Sequence, residues 1–271
     1  MARVVVLKVS GELLEEASDL RRIAARIAVL ASEGPLVVVH GGGKEIDRAL
    51  HAAGIGKVQV DGIRVTDAAT LDVVVSVLAG AINTRLVAAV RAAGARPVGL
   101  TAADAGVASV RRAAPLSAAS GRKVPLGLVG RPVSNGRPQL LSDLLSGGYV
   151  PIVACIGALE SGQLLNVNAD TLAAHIAGEL GARRLILAGG TPGVLDEAGR
   201  TIPRLRAGEA ARLIRVGTAN AGMVAKLRAC RSALQRGVGD VLIVNGREAR
   251  IGSGRGRTRE SAEPAFTRVV P

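Results

Sequence analysis

A lysine interrupts the first apolar run of the chain, Val4-Val5-Val6-Leu7-Lys8-Val9, which is otherwise aliphatic throughout. Such a run predicts a strand buried on both faces, where an ammonium is costly unless an anion meets it. A lysine snorkelling from a strand end is the plainer alternative. Groups of similar character recur further on. Gly41-Gly42-Gly43 follows a second apolar run, Leu36 to His40, and leads straight into a helical pattern. Three glycines there let the backbone approach an anion closely. Arg64 stands just before Thr66-Asp67, either of which can cap the apolar helix that follows, and its planar fork suits a carboxylate. Asn166 and Asp170 fall where the apolar segment Leu164-Leu165 turns into an alanine-rich helix, at the mouth of a strand-to-helix turn. Lys226 lies near the start of the helical pattern Met223 to Leu234, behind the small-residue stretch from Gly217 to Gly222.

Several chemistries are absent from this inventory. The three histidines lie beside no nucleophile signature, and His40 reads as a packed residue rather than a ligand. No Cys/His/Asp cluster has metal-site spacing, so no metal site is expected. The phosphate loop G-x-x-x-x-G-K-[ST] and the dinucleotide fingerprint G-x-G-x-x-G do not occur. What remains is two lysines, several glycine-rich turns and a carboxylate without a nucleophile. That set suits in-line phosphoryl transfer, which is catalysed mainly by positioning and by neutralising charge.

These residues need elements to hold them, and the chain alternates strand and helix. Buried strands are predicted at Val4 to Val9, Leu36 to His40, Pro97 to Leu100, Tyr149 to Ala154, Arg184 to Leu187 and Val241 to Val244. Helical spacing recurs at Leu20 to Leu30, Leu71 to Leu86, Leu140 to Leu145, Leu172 to Leu180 and Ala207 to Ile214. The loop-rich stretch from Ala103 to Gly136 reads as a hairpin insertion, with a short β-like piece from Val124 to Val129. An apolar fraction of 48% over 271 residues supports one large α/β domain or two lobes. With one Phe, one Tyr and no Trp, the core must be aliphatic, and base-stacking platforms are missing. The formal charge of +13 is spread through helices and loops and is densest in the Gly/Arg tail, so nucleic-acid binding is not expected. No uninterrupted apolar run of membrane-spanning length and no charged-then-apolar leader is read, so a cytoplasmic protein is expected. Cys155 and Cys230 are expected as buried thiols.

The motifs Lys8-Val9-Ser10-Gly11, Val39-His40-Gly41-Gly42-Gly43, Arg64-Val65-Thr66-Asp67, Leu165-Asn166-Val167-Asn168-Ala169-Asp170 and Gly222-Met223-Val224-Ala225-Lys226 come in the order seen in the amino-acid kinase family. The set most resembles the acetylglutamate kinases, from about residue 3 to the segment Thr267-Arg268-Val269. The resemblance implies a three-layer αβα sandwich with a largely parallel sheet. Residues 1–171 would bind the amino acid and dimerise, and residues 172–271 would bind ATP. It implies that Lys8 and Lys226 stabilise the transferring phosphoryl and that Asp170 orients them. Gly42, Gly43, Arg64 and Asn166 would hold N-acetyl-L-glutamate, with Arg64 on the carboxylate that does not react. Gly11, the loop Gly190, Thr191, Pro192, Gly193, Val194 and Leu195, and the segment Thr218, Ala219 and Asn220 would line the nucleotide site. Mg²⁺ would arrive with ATP. The product would be an acyl phosphate.

The chain departs from that pattern in places. Ser10 replaces a usual glycine, and Lys-x-Ser-Gly-Glu is more typical of bacterial uridylate kinases. Gly189-Gly190 leaves the nucleotide loop without its usual carboxylate, and Ala102 and Ala221 replace common small or acidic residues. Two alternatives follow: a kinase for 2-aminoadipate or glutamate held on an acidic carrier protein, and a regulatory subunit that binds without turnover. The first strand opens almost at Met1, so a homodimer without an extra N-terminal helix is expected.

Overall fold

A computed structural model describes residues 4–60, 63–117, 123–136, 138–216, 221–248 and 266–271. Its core is an eight-stranded sheet in the order Arg204–Arg206, Phe266–Val270, Asp240–Asn245, Arg184–Gly189, Val5–Val9, Leu36–His40, Val150–Ala154 and Pro97–Thr101. The six strands from Asp240–Asn245 to Pro97–Thr101 are parallel. Phe266–Val270 pairs antiparallel with Asp240–Asn245 and parallel with Arg204–Arg206. Central strands of a parallel sheet are covered on both faces, and Val5–Val9, Leu36–His40 and Val150–Ala154 are buried almost throughout.

Helices cover the two faces. Ala17–Glu33 turns Ile23, Ala24, Ile27 and Leu30 inward, a stripe at helical spacing. It packs with Asn83–Ala92 on one face, while Ala169–Glu179 and Ala221–Gln235 pack together on the other. The result is the three-layer α/β sandwich, with its expected central strands present. One continuous helical stretch, Ala68–Ala92, is long and apolar enough by length and composition to cross a membrane, the single such case among the described residues. It is not one uninterrupted apolar run. Leu71, Val74, Leu78, Ile82, Leu86 and Val90 are buried along it, the one-sided stripe of a core helix.

The stretch read as a hairpin insertion is more closely built in. Val110–Arg112 pairs antiparallel with Val129–Pro132, which lies parallel to Leu164–Val167 in a second, four-stranded sheet. Among the described residues, Leu116–Ser117 and Lys123–Val124 pair antiparallel with each other apart from that sheet. The β-like piece from Val124 to Val129 is therefore the ends of two strands. A second departure lies inside the long helix, where Ser76–Ile82 is π-helical. Side-chain periodicity alone does not reveal that extra residue per turn.

Candidate active site

Register brings the candidate residues together. Val9 pairs with His40 and Ala188, and His40 with Ala154, so the carboxyl ends of four strands open on one edge. Ligands of open parallel sheets bind at such edges. Here a cleft of about 320 Å³ is lined by Lys8, Gly11, Gly42, Gly43, Arg64, Asn166 and Asp170, although these come from both halves of the chain.

Lys8 and Asp170 form its buried charge pair. Lys8 Nζ lies 2.9 Å from Asp170 Oδ1 and donates to Ser10 Oγ at 2.8 Å, and both charged residues are 5% exposed. A snorkelling lysine would reach water; this one does not. Asp170 sits in the first turn of Ala169–Glu179, where the helix dipole favours a carboxylate. Asn168 caps that helix, its Oδ1 accepting the Thr171 N–H at 3.0 Å. Lys226 comes in on the side of Gly189, where a Cβ would lie 3.4 Å from its Cε, close enough to feel both charges of that pair. Burial, and then the like charge of Lys8, hold its ammonium below the ordinary lysine range, while Asp170 and Glu12 act in the opposite sense.

Arg64 forms the other wall. It is 7% exposed, and so is not a surface arginine. Its strand Ile63–Arg64 pairs with Gln59–Val60, and Nη2 bonds Asp47 and reaches the Gly43 carbonyl at 3.4 Å. Burial pushes the Asp47 carboxyl up, but hydrogen bonds from Lys57 and Arg64 outweigh it and leave the group below the usual carboxylate range. Arg64 Nη1 is buried without a hydrogen-bond partner. An orphaned guanidinium N–H lining a cleft is a carboxylate receptor in waiting. Asn166 stands near it, its Nδ2 donating to Thr66 Oγ1 at 3.2 Å. Asp67, rather than Thr66, caps the following helix, accepting the Thr70 N–H at 2.8 Å.

His40 supports the glycine loop from below. Asn83 Nδ2 donates to Ile152 O at 3.0 Å and faces His40 Nε2 at 3.1 Å, so Nε2 accepts and the ring proton sits on Nδ1, 3.3 Å from Gly41 O. Burial drives this imidazole down to about 4, against the opposing hydrogen bond to Gly41. The folded value lies below the ordinary 6.5, so the contribution to stability is complete above that pH. It is lost as pH falls toward the folded value, by up to about 3 kcal/mol. Urea midpoints taken from about pH 7 down to about pH 4.5 should show this slope, and His40→Gln should flatten it. Equal slopes in both proteins would contradict the buried neutral ring.

The expected nucleotide residues divide. Gly11 lines the cleft, and Gly190 donates its N–H to Glu12 Oε1 at 2.7 Å. A carboxylate therefore does stand at the Gly189-Gly190 loop, supplied from the turn after the first strand. Thr191 is exposed and Pro192 half-buried. Gly193 and Val194 turn inward against the strand Phe266–Val270, where the Val194 N–H donates to Thr267 Oγ1 at 2.8 Å. A Cβ on Gly193 would meet Thr267 Oγ1 at 2.4 Å. Leu195 is exposed and lines a separate cleft with Ile202 and Leu213. Thr218, Ala219 and Asn220 lie outside the described residues. His40 is the packed residue expected, while Glu12, which lines the cleft, and Asn83, which holds His40, were not found from the sequence.

Comparison with known proteins agrees with this geometry. The model of the amino acid kinase family matches residues 3–245. An acetylglutamate kinase from Nitrobacter hamburgensis is 39% identical over 249 residues, covering 90% of this chain and 83% of that protein. Another, from Solibacter usitatus, is 41% identical over 243 residues, covering 89% of this chain and 91% of its own. Among solved structures, smu.665 from Streptococcus mutans UA159 gives a TM-score of 0.80 at 27% identity, covering 90% of this chain and 95% of that one.

Proposed function

The chain belongs to the amino acid kinase family, and from that premise we propose that it transfers the γ-phosphate of ATP to the side-chain carboxylate of N-acetyl-L-glutamate. The product is the acyl phosphate of arginine biosynthesis. One observation carries the reading: the Lys8–Asp170 pair, approached by Lys226, shares a cleft edge with the unpartnered Nη1 of Arg64. Ammonium groups serve the phosphoryl, and a guanidinium serves a dicarboxylic acceptor.

In this account Arg64 and Asn166 hold the acceptor, Arg64 through the carboxylate that does not react. Gly42 and Gly43 bring backbone close to the reacting end. An oxygen of the other carboxylate forms a bond to the γ-phosphorus as the bond to the β,γ-bridging oxygen breaks, and ADP leaves with that electron pair. Lys8 and Lys226 neutralise charge on the phosphoryl in transit, while Asp170 keeps the two ammonium groups from driving each other away. Gly11 and the loop from Gly190 to Leu195 are assigned to ATP, with Thr218, Ala219 and Asn220. Among the described residues no group of three or more His, Cys, Asp or Glu could hold a metal ion. Mg²⁺ arriving with ATP would be held largely by phosphate oxygens and water, adding charge neutralisation at the phosphates.

Residues 1–171 are taken as the acceptor-binding and dimerising lobe and residues 172–271 as the ATP lobe of a cytoplasmic homodimer. Cys155 and Cys230, free and buried, suit a reducing compartment. ADP release measured in parallel with N-acetylglutamate, a carrier-bound amino acid and UMP tests the acceptor. Turnover with N-acetylglutamate alone is expected. Turnover only with the carrier-bound amino acid, or ATP binding without ADP from any acceptor, would overturn the assignment. Arg64→Ala should raise the KM for N-acetylglutamate by about tenfold or more and leave that for ATP near its original value. Equal effects on both would remove Arg64 from the carboxylate.

A further inference from the structure

Glu12 has no part in the transfer described so far. It belongs to the short turn Gly11–Leu13 after the first strand, and its carboxylate crosses to the loop that follows Arg184–Gly189. Oε1 accepts the Gly190 N–H at 2.7 Å. Neither Gly189 nor Gly190 carries a side chain, and Glu12, together with the Arg247 guanidinium at Gly190, fills the space one would take. A Cβ on Gly190 would lie 3.0 Å from Glu12 Oε2, and one on Gly189 would lie 3.5 Å from Glu12 Oε1 and 3.4 Å from Lys226 Cε. One carboxylate, one main-chain N–H and the end of the Lys226 side chain therefore converge on the edge of the cleft that Glu12 also lines.

The turn that presents Glu12 is fixed from outside. Arg247 donates to Asp19 Oδ2 at 2.8 Å and to the Glu12 carbonyl at 3.3 Å. The Gly246 N–H donates to Gly189 O at 2.7 Å, and Gly246 packs so closely on Leu13 that a Cβ would lie 2.2 Å from Leu13 Cδ1. Two loops at the ends of neighbouring strands are thereby tied to the turn after Val5–Val9.

We propose that Glu12 is a positioning residue for phosphoryl transfer: through the Gly190 N–H it ties the Gly189-Gly190 loop to the first turn, and it holds that loop and the Lys226 side chain at the spacing that the ATP phosphates meet. This deepens the kinase reading and rests on it. The charged groups around Lys226 are Lys8 from the first strand, Asp170 from the helix Ala169–Glu179 and Glu12 from the turn, with the Cys230 thiol on its own helix. Among these, Glu12 and Asp170 are the anions that support its protonated state.

Two variants separate the carboxylate's charge from its hydrogen bond. Glu12→Gln keeps an acceptor for the Gly190 N–H, so ATP affinity by calorimetry should stay within about threefold. With the negative charge gone, the alkaline limb of kcat should move to lower pH. Glu12→Ala loses both, so ATP should bind about tenfold more weakly while the KM for N-acetylglutamate changes little. If both variants keep the original ATP affinity and alkaline limb, or if the two substrates' KM values rise together, Glu12 is only a structural tie and the proposal fails. Weakened ATP binding by Glu12→Ala in a protein that never phosphorylates N-acetylglutamate would sink the acceptor assignment and uphold the role of Glu12 at the phosphates.

Discussion

Lys8→Met lowers kcat by about two to three orders of magnitude, the loss typical of removing one donor aimed at developing transition-state charge. The KM for either substrate should change far less, because in the proposed transfer the ammonium acts on the phosphoryl in transit rather than on a bound ground state. A confounding effect comes with it. Lys8 and Asp170 are each 5% exposed and 2.9 Å apart, so deleting one leaves the other buried without its counter-charge. That costs about 3–5 kcal/mol of stability. The double variant Lys8→Met/Asp170→Asn removes both charges and should recover much of the lost stability without recovering turnover. Recovery of both together would mean that Lys8 serves the fold alone. Lys226→Met should match the kinetic loss with a smaller effect on stability, since Lys226 is only partly buried.

Gly11→Ala should cost about a hundredfold in kcat/KM through backbone alone. A Cβ on Gly11 would lie 2.6 Å from Gly42 Cα and 2.9 Å from Gly42 N. Those are main-chain atoms, and Gly42 cannot retreat freely, because Ile82 and Leu78 pack where its own Cβ would be. The loop from Gly41 to Gly43 must shift as a unit, although the Gly41 N–H is bonded to Val9 O at 3.0 Å and Gly42 O to the Ile46 N–H at 2.9 Å. A displacement of about 1 Å between the ATP side and the acceptor side of the cleft is enough for a hundredfold loss. Gly80→Ala is the control, since no atom lies within 4 Å of a Cβ there. Kinetics of the two variants side by side decide the point; near-normal kcat/KM in Gly11→Ala would show that the two loops need not touch.

Legibility from sequence followed the physics of each residue. Lys8 was readable because a charge inside an aliphatic strand has few explanations, and Gly41-Gly42-Gly43 because a structural turn seldom needs three glycines. Asp170 was readable from the polar opening of an alanine-rich helix. The central strands followed from continuous apolar runs that only a sheet covered on both faces can use. Glu12 was invisible, since its partner Gly190 lies 178 residues away and a glutamate after a glycine looks solvated. Asn83 was hidden for a related reason. It interrupts the apolar stripe of its helix, and only the fold shows that it reaches His40, Leu100 O and Ile152 O. The π-helical turn at Ser76–Ile82 leaves little mark on an apolar pattern already dense with Val, Leu and Ala. Val110–Arg112 and Val129–Pro132 are too short for periodicity to find, and pairing across the intervening loop makes them strands.

Trapping the product with hydroxylamine tests the central claim most directly. Acyl phosphates react with hydroxylamine to give hydroxamates, which form coloured iron complexes. With ATP and N-acetylglutamate, the protein should yield one hydroxamate for each ADP, and Lys8→Met and Lys226→Met should each yield at least about a hundredfold less while still binding ATP. ADP formed without hydroxamate, or hydroxamate formed at an undiminished rate by either lysine variant, would contradict it.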